Sequence, residues 1–306
     1  MKDFRVRNIL AGKVSQNTIN NYDTSWRLYV EFCGSVENAL DPRNLTEWRE
    51  YMIHVAESAS GSINVRILGV KRIIRELCEL GELDEGICEK FYRVRGLPHN
   101  ALPERKRPHN RTRISPEQMR EMIDATRVDL KNPILARDRA ILLTLATSGM
   151  RSSEMCSVKV SDILDMGKGC VIDNIRVKGG RVRRVPISRE CYEAIHDWLF
   201  MRPVQSEWVF TTERIHNPFV SERDTFIIWN DEPMNRTHVL NRVKKYADMV
   251  GIEHVKTHDF RRFVGTILAR KNVRVAQKVL GHKNIAMTAE NYLLDEVEPG
   301  TTENLF

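Results

Sequence analysis

The stretch Thr257-His258-Asp259-Phe260-Arg261-Arg262, followed by Leu280-Gly281-His282 and then by Tyr292, decides how this chain is read. Its motifs set two histidines, the arginine Arg261 and a phenol within 35 positions, and Tyr292 is the only tyrosine downstream of His258. Further upstream, Gly149-Met150-Arg151-Ser152-Ser153-Glu154 sets another arginine at the end of an apolar helical run. Two fixed guanidiniums directed at one tyrosine point to phosphate chemistry, because a forked, permanent cation suits the oxygens of a phosphodiester. His258 stands three residues before Arg261, a spacing that puts both on one face of a helix.

The length of 306 residues fits two domains of ordinary size, each able to bury its own core. The 48 Lys and Arg against 41 Asp and Glu give a formal charge of +7, which favours a polyanionic partner, with nucleic acid foremost. The six cysteines, Cys33, Cys78, Cys88, Cys156, Cys170 and Cys191, form no Cys-x-x-Cys pair and no zinc-type spacing, so reduced core thiols and no metal site are expected. The polar start Met1-Lys2-Asp3-Phe4-Arg5 leads into no long apolar run, which predicts a soluble, cytoplasmic protein with no membrane span.

From Thr18, the residues Ile19, Tyr22, Trp26, Val30 and Cys33 recur at helical steps that stop before Gly34. Similar patterns over 44–58, 61–80 and 84–92 predict an all-helical first domain over 1–97. The stretch 98–113 carries three prolines and a run of Arg and Lys with no apolar period, and reads as an extended basic linker. Ser115-Pro116-Glu117-Gln118 restarts helix with an N-cap and a proline at the first position, so a second domain is placed at 114–298, with a tail over 299–306. Within it, 158–160, 171–177 and 182–187 are expected as short strands, and 204–232 as irregular chain around one strand at 208–211. Helix dominates from Met234 to Leu294. The fold class expected is mainly α with a small antiparallel β-sheet.

In order, Ser148-Gly149-Met150-Arg151-Ser152-Ser153-Glu154, Val177-Lys178-Gly179-Gly180-Arg181-Val182-Arg183-Arg184-Val185-Pro186, His258-Asp259-Phe260-Arg261, Leu280-Gly281-His282 and Tyr292 make the chain resemble the tyrosine recombinase, or phage integrase, family. The motifs span the second domain, and the helical first domain looks like the family's SAM-like core-binding domain. The resemblance implies a site-specific recombinase with a mixed α/β catalytic domain, in which Tyr292 attacks DNA and becomes linked to the 3′ phosphate. It implies no cofactor. Physical chemistry agrees with the roles so assigned. Arg151 and Arg261 would stabilise the pentacovalent phosphate. A phenol that ionises near pH ~10 needs a proton acceptor, for which His258 is the candidate. Lys178, on a hairpin, would protonate the leaving sugar oxygen, and His282 would donate a hydrogen bond to a phosphate oxygen. The family commonly puts its tyrosine nine positions after the Gly-His histidine, whereas Tyr292 follows His282 by ten, and Arg262 stands where a histidine is usual.

The linker residues Arg105, Lys106, Arg107, Arg111 and Arg113, together with Arg181 and Arg262, are expected to meet DNA phosphates. Partners implied by the resemblance are double-stranded DNA with paired inverted half-sites and further copies of this chain, as a tetramer on synapsed DNA, with accessory DNA-bending proteins as optional additions. The apolar residues Leu293, Leu294 and Val297 would dock on the same protomer or a neighbouring one. Two other readings stay open: a type IB topoisomerase-like relaxing enzyme and a non-catalytic DNA-binding regulator on the same scaffold.

Overall fold

The computed structural model describes residues 5–98, 101–102, 105, 112–127, 131–176, 180–216, 226–282 and 284–292. The chain divides into two compact units, Met1–His109 and Asn110–Phe306.

Among the described residues the first unit contains α1 (Val6–Leu10), α2 (Gln16–Cys33), α3 (Val36–Ala39), α4 (Pro42–His54), α5 (Ser60–Glu79) and α6 (Glu85–Arg93). The ends follow from local chemistry. Ser15 accepts the Thr18 N–H to open α2, and Asp41 caps α4, whose first residue is Pro42. Helix α5 is the centre: Ile63, Ile67, Val70, Ile73, Ile74 and Leu77 recur at three- and four-residue steps and are buried against Trp26 and Tyr29 of α2 and Trp48 and Met52 of α4. The expected helices over 61–80 and 84–92 are α5 and α6, whereas the one expected over 44–58 is α4, which stops at His54.

The cysteine expectation needs a correction here. Cys78 and Cys88 form a disulfide, with Cα atoms 6.4 Å apart. The turn between α5 and α6 folds the second helix back on the end of the first, a proximity that a nine-residue gap in sequence does not disclose. Cys33 and Cys156 are half-buried free thiols, and Cys170 and Cys191 are buried ones.

The second unit opens with α7 (Pro116–Asp124), where Ser115 and Gln118 make the reciprocal capping box expected of that sequence. Helix α8 (Pro133–Ser148) is the core element, with Ala140 to Leu145 buried without a break. After α9 (Ser152–Met155) come β1 (Ile163–Asp165), β2 (Cys170–Arg176) and β3 (Val182–Ile187), an antiparallel sheet in that order. The first strand therefore starts later than the expected 158–160. The Asp162 carboxylate accepts the Lys159 N–H at 3.0 Å and winds Val160–Asp162 into a 3-10 turn, leaving Lys159 only a single bridge to Trp208.

Helix α10 (Arg189–Met201) leads to a second correction. The segment expected to be irregular contains the antiparallel pair β4 (Thr211–His216) and β5 (Phe226–Pro233). Its anchor is a buried charge cluster. Arg137 and Asp138 of α8 are both 0% exposed. Arg137 pairs with both oxygens of Glu213 on β4, donates to the Thr211 carbonyl at 3.3 Å, and lies 5.2 Å from the Trp229 ring centre. The hydroxyl of Tyr246 donates to Asp138 at 2.8 Å from the next helix, α11 (Arg236–Met249). A buried cation with matched carboxylates and aromatic faces is tolerable where an unpaired one would be strongly destabilising.

The unit closes with α12 (Thr257–Lys271), α13 (Val273–Leu280) and α14 (Ile285–Tyr292). The fold is mainly helical with small antiparallel sheets, as expected. No described helix is long and apolar enough to cross a membrane. Residues 293–306, and with them Leu293, Leu294 and Val297, lie outside the described residues.

Candidate active site

The site is built where α8, β3, α12 and α13 end or begin together. Helix α8 stops at Gly149, whose φ of 60° is left-handed. A Cβ there would sit 2.9 Å from Leu280 and 3.1 Å from Val264, so glycine is also what lets this corner touch α12 and α13. The turn buries Met150 and sends Arg151 outward, 47% exposed along its side chain.

Glu154 fixes that arginine. Its carboxylate, on a side chain only 5% exposed, accepts the Arg151 backbone N–H at 2.9 Å and Arg151 Nη1 at 2.8 Å. The same group accepts Arg183 Nη2 from β3 at 2.9 Å. Arg183 also donates through Nη1 to the Val279 carbonyl, and its side chain lies against Gly281. One carboxylate thus ties the start of α9, a β-strand and the α13 terminus into a single frame. The backbone hydrogen bond and the two arginines hold the Glu154 carboxyl below its usual range against the opposing effect of burial.

Arg261 is the most buried cation of this cluster, 1% exposed. Its Nη1 donates to the Gly149 carbonyl at 2.8 Å and its Nη2 to the Leu280 carbonyl at 2.6 Å. It therefore satisfies the terminal carbonyls of two helices. Burial first, then repulsion from Arg151, lowers its pKa to about 10. His258, at the start of α12, is exposed, while Asp259 beside it is buried and accepts both the Lys256 N–H at 2.8 Å and Arg262 Nη1 at 3.2 Å. Although the residue is exposed, the protein around its ring partly desolvates it, and this together with the charges of Arg262, Arg261 and Arg151 holds His258 below the ordinary histidine range.

Tyr292 ends α14 with its ring against Gly265 of α12, where a Cβ would fall 2.6 Å from Cε1 and 2.7 Å from Cζ. Its other neighbour is His282, whose ring is parallel within 3° at 5.8 Å. Burial raises the phenol's pKa, opposed by Arg261, Arg262 and Arg151. His282 is lowered to about 4 by burial and then by Arg261, Arg151, Arg183 and His258. An arrangement with this many cations and two neutral imidazoles is complementary to an anion that itself needs hydrogen-bond donors.

Of the residues singled out in the sequence, Arg151, His258, Arg261, His282 and Tyr292 lie in one cluster. The tenth-position spacing is absorbed, with Tyr292 still facing His282. Lys178 lies outside the described residues, as do Lys106, Arg107 and Arg111. Arg181 is exposed just before β3. Arg262 borders the cluster through Asp259. Arg105 donates a hydrogen bond to the Ile53 carbonyl in the first unit, and Arg113 is exposed. Among the described residues no group of His, Cys, Asp or Glu could hold a metal ion. Sequence reasoning missed Glu154, Arg183 and Gly265. Only Glu154 carried a signal, its place three residues after Arg151 being capping-box spacing.

With this geometry established, comparison with known proteins places the chain. It belongs to the phage integrase family, whose model matches residues 112–298. Tyrosine recombinase XerD of Chlamydia muridarum is 30% identical over 181 residues, covering 57% of this chain and 55% of that protein. Tyrosine recombinase XerA of Thermococcus kodakarensis is 28% identical over 293 residues, covering 94% of this chain and 88% of that protein. The chain spans about half the length of XerD and similar relatives and most of the length of XerA. A lambda integrase dimer bound to a COC′ core site superposes with a TM-score of 0.64 at 16% identity, over 96% of this chain and 77% of that one, a likeness of fold.

Proposed function

We propose that this protein is a site-specific tyrosine recombinase that breaks and rejoins double-stranded DNA through a 3′-phosphotyrosyl intermediate. The observation that carries the reading is the single cluster in which Tyr292 lies between Gly265 and His282, beside the buried Arg261 and the exposed Arg151. Family membership supports it independently.

In this reading the Tyr292 oxygen attacks phosphorus and displaces the 5′ oxygen of the neighbouring nucleotide. The phenolic proton passes to His258, and Arg151 and Arg261 bear the charge that builds on the non-bridging oxygens. His282 adds a hydrogen bond to one of those oxygens, and Lys178 protonates the departing 5′ oxygen. Rejoining reverses these steps with a 5′ hydroxyl as nucleophile. The protein–DNA ester conserves the bond, so the cycle consumes no high-energy cofactor.

The helical first unit serves as the core-binding domain, and the basic stretch 98–113 connects it to the catalytic domain. The substrate is duplex DNA with paired inverted half-sites, met in the cytoplasm by a homotetramer with accessory DNA-bending proteins where the site demands them. Lambda integrase, which shares the fold, has been solved as a tetramer bound to a Holliday junction. Sequencing the DNA that flanks the gene for inverted repeats would supply the substrate for a test. A nicked duplex built from them should trap a denaturation-resistant adduct with the native protein and none with Tyr292→Phe. An adduct on the phenylalanine variant would overturn the assignment.

A further inference from the structure

The imidazole of His282 is held from several sides. Its backbone is fixed just past the left-handed Gly281, with its N–H donating to the Gln277 carbonyl at 3.1 Å and its carbonyl accepting Gln277 Nε2 at 3.3 Å. Its ring is parallel to Tyr292. Its Nδ1 lies 2.9 Å from the Thr288 hydroxyl, and Thr288, on α14, is 0% exposed. The groups that face the ring are the guanidiniums of Arg261, Arg151 and Arg183 and the titratable imidazole of His258.

A neutral imidazole carries one N–H, so which nitrogen holds it decides what the ring can do. A carboxylate or carbonyl at Nδ1 would fix the proton there and leave Nε2 bare, unable to donate to a phosphate oxygen. Protonating both nitrogens would restore a donor, but that form is opposed by burial and by three neighbouring guanidiniums. A hydroxyl is different, because it can donate to Nδ1 as well as accept. We propose that Thr288 is a positioning residue that donates its hydroxyl hydrogen to His282 Nδ1 and so keeps the proton on Nε2, the tautomer able to donate to the scissile phosphate. This rests on the recombinase reading above for the identity of the acceptor. The hydrogen bond also couples α14, which carries Tyr292, to the phosphate-binding group. Nucleophile and donor are thereby registered to each other through one buried hydroxyl.

Nitrogen-15 NMR of the histidine-labelled full-length protein, with His282 assigned by its loss in His282→Asn, tests the tautomer with no cleavage needed. It is run with inorganic phosphate present. The native protein and Thr288→Ser should show a protonated Nε2 and a bare Nδ1, and Thr288→Val should show a mixture or the opposite tautomer. On the nicked duplex, Thr288→Val should cleave about 10²-fold more slowly, the scale of one lost transition-state donor, at unchanged DNA affinity. Thr288→Ser should restore most of the rate. A proton on Nδ1 in the native protein, or native-rate cleavage by Thr288→Val, would overturn the inference. Either result leaves the recombinase reading standing, since that reading depends on the Tyr292→Phe adduct test.

Discussion

Tyr292 rests on Gly265: the ring and the α-carbon are so close that a single methyl group between them would overlap the phenol. The contact sets the depth of the phenolic oxygen relative to Arg261. Gly265→Ala should therefore push the ring outward. A displacement of about 1 Å at a reacting atom costs roughly 10²-fold in rate. The variant should cleave slowly while binding DNA normally, and its stability should fall by about 1–3 kcal/mol from overpacking. Cleavage at the native rate would show that the ring leaves this contact before reaction.

The two arginines should separate in a way their shared charge does not suggest. Arg151 is half exposed, and Arg261 is buried with two helix-end carbonyls as acceptors. Both alanine variants should lose about 10²–10³-fold in cleavage. Only Arg261→Ala should also lose stability, by roughly 2–4 kcal/mol, since it leaves buried carbonyls unpaired. Urea midpoints beside single-turnover cleavage rates would check the split, and equal stability losses would contradict the difference in burial.

Glu154 joins Arg151 and Arg183, and Glu154→Gln would strip the carboxylate from a nearly buried arginine. Breaking a buried pair on one side destabilises by about 3–5 kcal/mol. Glu154→Gln should therefore be less stable than Arg151→Ala and should also mis-set Arg151. A double change with Arg183→Met should recover part of the stability but not the rate. Additive stability losses in the double variant would argue against a direct pairing.

Stability should fall on mild acidification. His282 is lowered to about 4 in the folded protein, below the ordinary histidine value, and His258 is shifted the same way. The unfolded chain thus takes up protons first as the pH drops through the ordinary histidine range, and folding is progressively disfavoured from there toward pH ~4. For His282 alone the loss between pH 7 and pH 5 is at most about 2 kcal/mol. Glu154, lowered in the folded state, adds a second loss only as the pH falls through the carboxylate range. Urea denaturation at pH 7 and pH 5, for the native protein and His282→Asn, should show the smaller pH effect in the variant.

Much of this was legible because the informative signals are local. Ser115-Pro116-Glu117-Gln118 announces a helix start, and α5 shows its buried face in the spacing of its isoleucines. The cluster of Arg151, His258, Arg261, His282 and Tyr292 was legible as an ordered set of motifs rather than as geometry. What escaped depends on contacts between distant segments. Cys78 meets Cys88 only because a helix folds back. Arg183 looked like one more basic residue of a hairpin, yet it reaches Val279 across the unit. Thr288 has no sequence mark that separates it from any helical threonine. The β4–β5 hairpin was hidden because its anchors are charges, which read as surface until Arg137 is seen to be buried with Glu213.

That anchoring bears on how the hairpin can be altered. Segments that differ in length between relatives are usually shortened freely in protein engineering, because a surface loop carries little of the fold. The chain between α10 and α11 does not have that freedom. Cutting it back past Glu213 would leave the buried Arg137, in the second turn of α8, with Asp138 as its one remaining carboxylate among the described residues, on the helix whose far end forms the Arg151 corner. A shortened variant should be destabilised, and less so with Arg137 changed in the same step, for instance to methionine. The hairpin and the central helix are therefore one inheritable unit, to be transplanted or redesigned together.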